Sequence, residues 1–146
     1  MLTLKKILLE DLRQYVEIAY KGDDDLLLHY WGTDLNLQEA VDLTMSLIEQ
    51  VDKEVPVDYY AVESEEQEIG YIVNFPNNLY SFSININYRT KENLICFWEL
   101  IKEVMEDGFI CMLFPQNERA IKWLKKCGMV EVFGVENNCV TLLNIK

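Results

Sequence analysis

The chain has 146 residues, half of them hydrophobic and 12% aromatic, with 25 acidic against 13 basic side chains and a net charge of −12. That length suits one domain with a substantial core, residues 1–146, and the composition excludes a disordered, collagen-like or low-complexity chain. The acidic balance argues against nucleic acid, whose phosphates need Lys and Arg, and against docking to an anionic membrane.

Leu2 to Ile7 alternates loosely and reads as a strand. Glu10-Asp11 open an amphipathic helix with Leu12, Tyr15, Val16 and Ala19 on one face, stopped by Gly22. The acidic triplet Asp23-Asp24-Asp25 follows and reads as solvated surface, with a pull on a cationic amine as the sharper alternative. Residues 26–33 form an apolar, aromatic connection. A second helix carries its own start signal, Asn36 as cap with Glu39 three residues on, and an apolar face from Leu37 to Val51.

The period then changes from helical to strand-like. Tyr59 to Val62 and Ile69 to Val73 form a hairpin around the acidic turn Glu63 to Glu68. Leu79 to Asn87 alternates as a further strand, with Tyr80, Phe82, Ile84 and Ile86 expected on one face. Thr90 caps a third helix with the stripe Leu94, Phe97, Trp98, Ile101, Val104 and Met105. Phe109 to Phe114 has no polar residue and reads as a strand buried on both faces. A fourth helix places Ala120, Trp123, Leu124 and Cys127 on one side and Arg119, Lys122 and Lys126 on the other. Met129 to Phe133 and Cys139 to Ile145 are the last strands. The order β-α-α-β-β-β-α-β-α-β-β predicts an α/β (α+β) fold, a mixed and mostly antiparallel sheet with helices on both faces.

Four cysteines, Cys96, Cys111, Cys127 and Cys139, include no C-x-x-C pair and read as free thiols in a reducing compartment. One histidine, His29, cannot build a metal cluster, so no metal is expected. No apolar run reaches the roughly 20 residues of a spanning helix, and Met1 to Lys6 lacks the apolar core of a signal peptide, so a cytoplasmic protein is expected.

Three segments together carry a resemblance. Asn117-Glu118-Arg119-Ala120-Ile121-Lys122-Trp123-Leu124-Lys125-Lys126-Cys127-Gly128-Met129 is similar to the fourth-helix signature of the GNAT superfamily of N-acetyltransferases, N-x-R-A-I followed by K-x-G-F. Ile69-Gly70-Tyr71-Ile72 resembles its glycine-containing middle strand, and Tyr88-Arg89-Thr90-Lys91 its junction of strand and third helix. The order of elements matches from Leu2 to Ile145.

The resemblance implies transfer of an acetyl group from acetyl-CoA to a small-molecule or peptide amine. It places the pantetheine arm along Phe82, Ser83 and Ile84, the pyrophosphate at Arg89, Thr90, Lys91, Glu92, Asn93 and Leu94, and a further contact at Asn117. The stripe of Arg119, Lys122 and Lys126 could meet the coenzyme's 3′-phosphate. Unpaired amides and the helix dipole favour an anion at such a helix start. The family's phosphate motif has glycines where this chain has Glu92 and Leu94, so weak coenzyme binding is expected, strengthened by Glu92→Gly. The family's usual Tyr of the fourth helix is replaced by Leu124, and its usual carboxylate base is missing from Leu79 to Asn87. The general acid and base therefore stay unassigned, with Tyr60, Tyr71, Tyr80 and Tyr88 as candidate substitutes for the missing Tyr. His29, Tyr30 and Trp31 fall where the family shapes its acceptor site. A homodimer is compatible with the family. The alternative function is an inactive relative of the same fold that has lost the coenzyme site and serves as a binding module.

Overall fold

A computed structural model describes residues 1–27, 34–136 and 138–145. Its elements are β1 (Leu2–Ile7), α1 (Leu9–Tyr20), α2 (Leu37–Asp52), β2 (Asp58–Ser64), β3 (Gln67–Phe75), β4 (Asn78–Ile84), α3 (Lys91–Val104), β5 (Ile110–Leu113), α4 (Glu118–Lys126), β6 (Val130–Glu136) and β7 (Cys139–Leu143). The order is the one predicted. His29, Tyr30 and Trp31 lie outside the described residues. No helix among the described residues is long and apolar enough to cross a membrane.

The seven strands form one sheet in the order β1-β2-β3-β4-β5-β7-β6. Every neighbouring pair is antiparallel except β4 and β5. Helices α1 and α2 cover one face, where Leu12, Val16, Ala40, Val41 and Ile48 pack with Ala61, Tyr71 and Val73. Helices α3 and α4 cover the other, where Phe97, Ile101 and Leu124 pack with Ile72, Leu79, Ile84 and Leu142. Each Val, Leu, Ile or Phe among them, fully withdrawn from water, contributes about 1.5–3 kcal/mol before chain entropy is set against it.

Local chemistry explains the helix starts. Asn36 and Glu39 close a reciprocal capping box at α2, with Asn36 accepting from the Glu39 N–H at 2.8 Å and Glu39 from the Asn36 N–H at 2.9 Å. Thr90 caps α3, its hydroxyl accepting the Asn93 N–H at 3.1 Å. At the end of α1 the chain turns through Gly22 at φ +81°, a left-handed conformation that glycine adopts without Cβ strain. That turn drops Asp23 inward.

Three expectations are corrected. The strand predicted to run to Asn87 ends at Ile84, because residues 86–88 wind into a 3₁₀ turn capped by the Asn85 side chain on the Asn87 N–H. Nor does Tyr80 share a face with Phe82 and Ile84. The register slips where Val73 pairs Ser81 but Asn74 pairs Leu79, so Tyr80 is an inserted residue and turns toward α1 and α2. Finally, β5 is not covered on both faces: Met112 and Phe114 are 45% and 36% exposed. The strand buried on both faces is β3, from Ile69 to Asn74. Smaller shifts extend β2 and β3 into the acidic turn and carry β6 through Gly134 to Glu136.

Candidate active site

β4 and β5 run parallel but their ladder consists of a single pair, Asn78 opposite Ile110. Beyond it the strands diverge, since both edges line one cleft of about 270 Å³, with Phe82, Ser83 and Ile84 on one side and Cys111 to Leu113 on the other. The expected pantetheine residues therefore stand together on the wall of one cleft. Phe82 also belongs to an aromatic floor: its ring lies 6.2 Å from Phe97 and 6.3 Å from Trp123, which stack at 5.7 Å.

Arg89, Leu94 and Asn117 line the same cleft. Thr90, Lys91 and Glu92 lie exposed at the start of α3 beside it. Asn93 is spent locally, its amide donating to the Tyr88 carbonyl at 2.8 Å. Asn117 caps α4, its side chain accepting the Ala120 N–H at 3.4 Å.

The arginines are not free. Arg89 donates through Nε to the Ile84 carbonyl at 3.0 Å and through Nη2 to Ser83 Oγ at 3.3 Å and Asp23 Oδ2 at 2.8 Å. Arg119, on the same helix face as Lys122 and Lys126, donates through Nη2 to both Asp23 oxygens, at 2.7 and 3.0 Å. The Asp23 side chain is fully buried, whereas those of Arg89 and Arg119 are 22% and 48% exposed. Asp23, expected on the surface, is thus the anion on which two guanidiniums converge. Burial raises its pKa, but Arg89 and Arg119 outweigh burial and hold the carboxyl below its ordinary value.

Deeper in, four hydroxyls form a line. Thr44 Oγ1 lies 2.9 Å from the Tyr20 hydroxyl, Tyr20 2.9 Å from Tyr71, and Tyr71 2.7 Å from Ser81 Oγ. Tyr71 faces the first cleft, Thr44 a second cavity of about 260 Å³, and Tyr20 and Ser81 both. The line therefore bridges the two spaces. Each hydroxyl can donate once and accept twice, so a proton can pass along it. Burial, only partly offset by these hydrogen bonds, raises the Tyr20 pKa. Tyr20 therefore stays a neutral hydroxyl at ordinary pH.

Of the tyrosines proposed from sequence, Tyr71 is in this line and Tyr80 lines both spaces. Tyr60 packs on the opposite, α3 side, and Tyr88 donates outward to Gln67 at 3.0 Å. Sequence reading missed Tyr20, Thr44, Ser81 and Asp23. Tyr20 extends the α1 stripe by one step from Val16, which read only as core. No group of three His, Cys, Asp or Glu among the described residues could hold a metal.

This architecture, a sheet that splays at its one parallel pair with a capped helix beginning at the mouth, is shared with the GNAT-type fold of solved acetyltransferases. Solved structures agree in shape. An acetyltransferase from Thermus thermophilus superposes with a TM-score of 0.66 at 10% identity, covering 98% of this chain and 96% of its own. The PaiA N-acetyltransferase of Thermoplasma acidophilum, solved in complex with coenzyme A, gives 0.62 at 14% identity and covers 99% and 98%. The SpeG spermidine N-acetyltransferase of Vibrio cholerae, in a mutant form, gives 0.56 at 14% identity and covers 98% and 92%. At such identities the likeness carries the fold alone. No family model matches the chain, and no curated protein does.

Proposed function

We propose that this chain is a coenzyme A-dependent N-acyltransferase that passes its acyl group directly to an amine. The observation that carries this is the line of four hydroxyls joining the splayed cleft to a second cavity. The residues fit a coenzyme A thioester. Two guanidiniums already converge on an anion, and a largely apolar cleft leads from them to the hydroxyls. Arg89 and Arg119 would hold phosphate oxygens once Asp23 yields them, and Phe82 to Ile84 would flank the arm. The coenzyme supplies an activated acyl group. The protein's share is to hold the amine beside it and to move one proton. A C–N bond forms as the C–S bond breaks, and the proton lost by nitrogen balances the one gained by sulfur. Thr44, Tyr20, Tyr71 and Ser81 offer that proton a path.

A specific observation favours a second reading. Asp23 occupies the arginines, and Glu92 sets a carboxylate in the first turn of α3. Both oppose a phosphate, as expected of a relative that binds coenzyme weakly or has become a binding module. Calorimetry with acetyl-CoA at millimolar level, beside thiol release with an amine panel, separates the two. Saturable binding with thiol release is the expected result. Absence of binding by both the original protein and Glu92→Gly would leave the binding module as the function.

A further inference from the structure

The second cavity is lined by Thr44, Leu47, Ile48, Tyr80, Met112 and Phe114 among others, and no described lining residue is charged. We infer that it is the acceptor site and that it takes a small primary amine with an uncharged, apolar body, an arylalkyl- or alkylamine, rather than a polyamine, an amino sugar or a lysine-bearing peptide. This inference rests on the acyltransfer reading and gives it a substrate class.

Three observations support it. The cavity's volume of about 260 Å³ has room for a small amine beside the hydroxyl line. Met112 of β5 and Phe114 just beyond its end present large apolar side chains, left 45% and 36% exposed, at its wall. The nearby Asp23 carboxylate lines the other cleft and is consumed by two arginines, so it cannot receive an ammonium group. Burying an ammonium without a carboxylate is costly, and the cavity therefore selects the neutral amine, which is also the nucleophilic form. The hydroxyls of Thr44 and Tyr20 can accept its N–H, while Tyr80 and Phe114 pack against its body. The acidic segments at Asp24-Asp25 and Glu63 to Glu66 line neither space.

The test compares phenethylamine and hexylamine with spermidine and a lysine-containing peptide in the thiol-release assay with acetyl-CoA. The apolar amines are expected to have a kcat/KM higher by about tenfold or more, and that kcat/KM should rise with pH as the neutral fraction of the amine grows. Met112→Glu sets a carboxylate at the rim on an already exposed side chain and should move the preference toward spermidine. A wild-type preference for spermidine or the peptide, or no shift in Met112→Glu with an unchanged Tm, overturns the inference. If no amine releases thiol, binding decides. Saturable movement of the Met112 methyl NMR signal by phenethylamine and not by spermidine upholds the cavity's selectivity while removing acyl transfer. The reverse pattern removes the inference itself.

Discussion

Asp23 is the residue on which most depends. Replacing a buried carboxylate that two arginines share is expected to destabilise the fold by about 3 kcal/mol, the low end for a broken buried pair because both arginines retain some solvent. Asp23→Asn should at the same time bind acetyl-CoA more tightly, since Arg89 and Arg119 are released. Chemical denaturation and calorimetry on one variant test both, and weaker coenzyme binding would sink the competition argument. The sign with pH follows from the lowered pKa. A carboxyl held below its unfolded value of about 3.9 contributes fully above that pH and loses its contribution as pH falls through the folded value. The stability gap between the original chain and Asp23→Asn should therefore be constant near neutrality and close below about pH 4. A gap unchanged down to strong acid would contradict the ion pair. Tyr71→Phe breaks the hydroxyl line at its middle with little change of shape. A loss of about 10²–10⁴ in kcat is expected, against about 1 kcal/mol of stability. An undiminished rate would show that the proton takes another path.

The elements position these groups, and two of them can be tuned. Gly70 of β3 lies under β4 so closely that a Cβ there would stand 2.2 Å from the Ser83 carbonyl oxygen and 2.8 Å from Ile84 Cα. Those are backbone atoms, so β4 must move as a strand. Gly70→Ala is expected to cost about 1–3 kcal/mol through overpacking and to weaken coenzyme binding, because Ser83 and Ile84 form the cleft wall. An unchanged Tm in thermal unfolding would refute this. At α3, Glu92→Gly removes a favourable dipole contact of about 0.3–1 kcal/mol and adds glycine's helix penalty of up to about 1 kcal/mol, yet should tighten coenzyme binding. Glu92→Gln separates charge from backbone: if repulsion dominates, Gln recovers most of the gain. Asn36-x-x-Glu39 and Thr90 were legible as caps because a cap's partner lies three residues away. Tyr80 was not, because one inserted residue reverses the facing of the strand, and nothing in Leu79 to Ile84 announces it.

For the molecule as a whole, the net charge of −12 sits mainly on exposed side chains. Self-repulsion should be screened as salt shortens the Debye length from about 30 Å at 0.01 M to about 8 Å at 0.15 M. Tm is expected to rise by about 2–4 °C over that range, the shift that roughly 1 kcal/mol produces in a chain near this size. A fall would mean that exposed pairs such as Arg13–Asp42 outweigh the repulsion. The two apolar layers, one under α1 and α2 and one under α3 and α4, are joined through β3. The cleft opens where β5 leaves that shared cover.

Element type and order, the caps Asn36 and Thr90 and the placing of helices on both faces were contained in the sequence. They depend on periods of 2 and 3.6 residues and on contacts within about one turn. The site depended on tertiary structure. Asp23 meets its arginines across 66 and 96 residues of chain, and Tyr20 reaches Thr44 and Tyr71 across 24 and 51. No local pattern encodes such meetings, because what brings them about is the turn at Gly22 and the packing of α1 on the sheet. In the sequence Asp23 is one acid among 25. Folding made it the buried anion of the cleft.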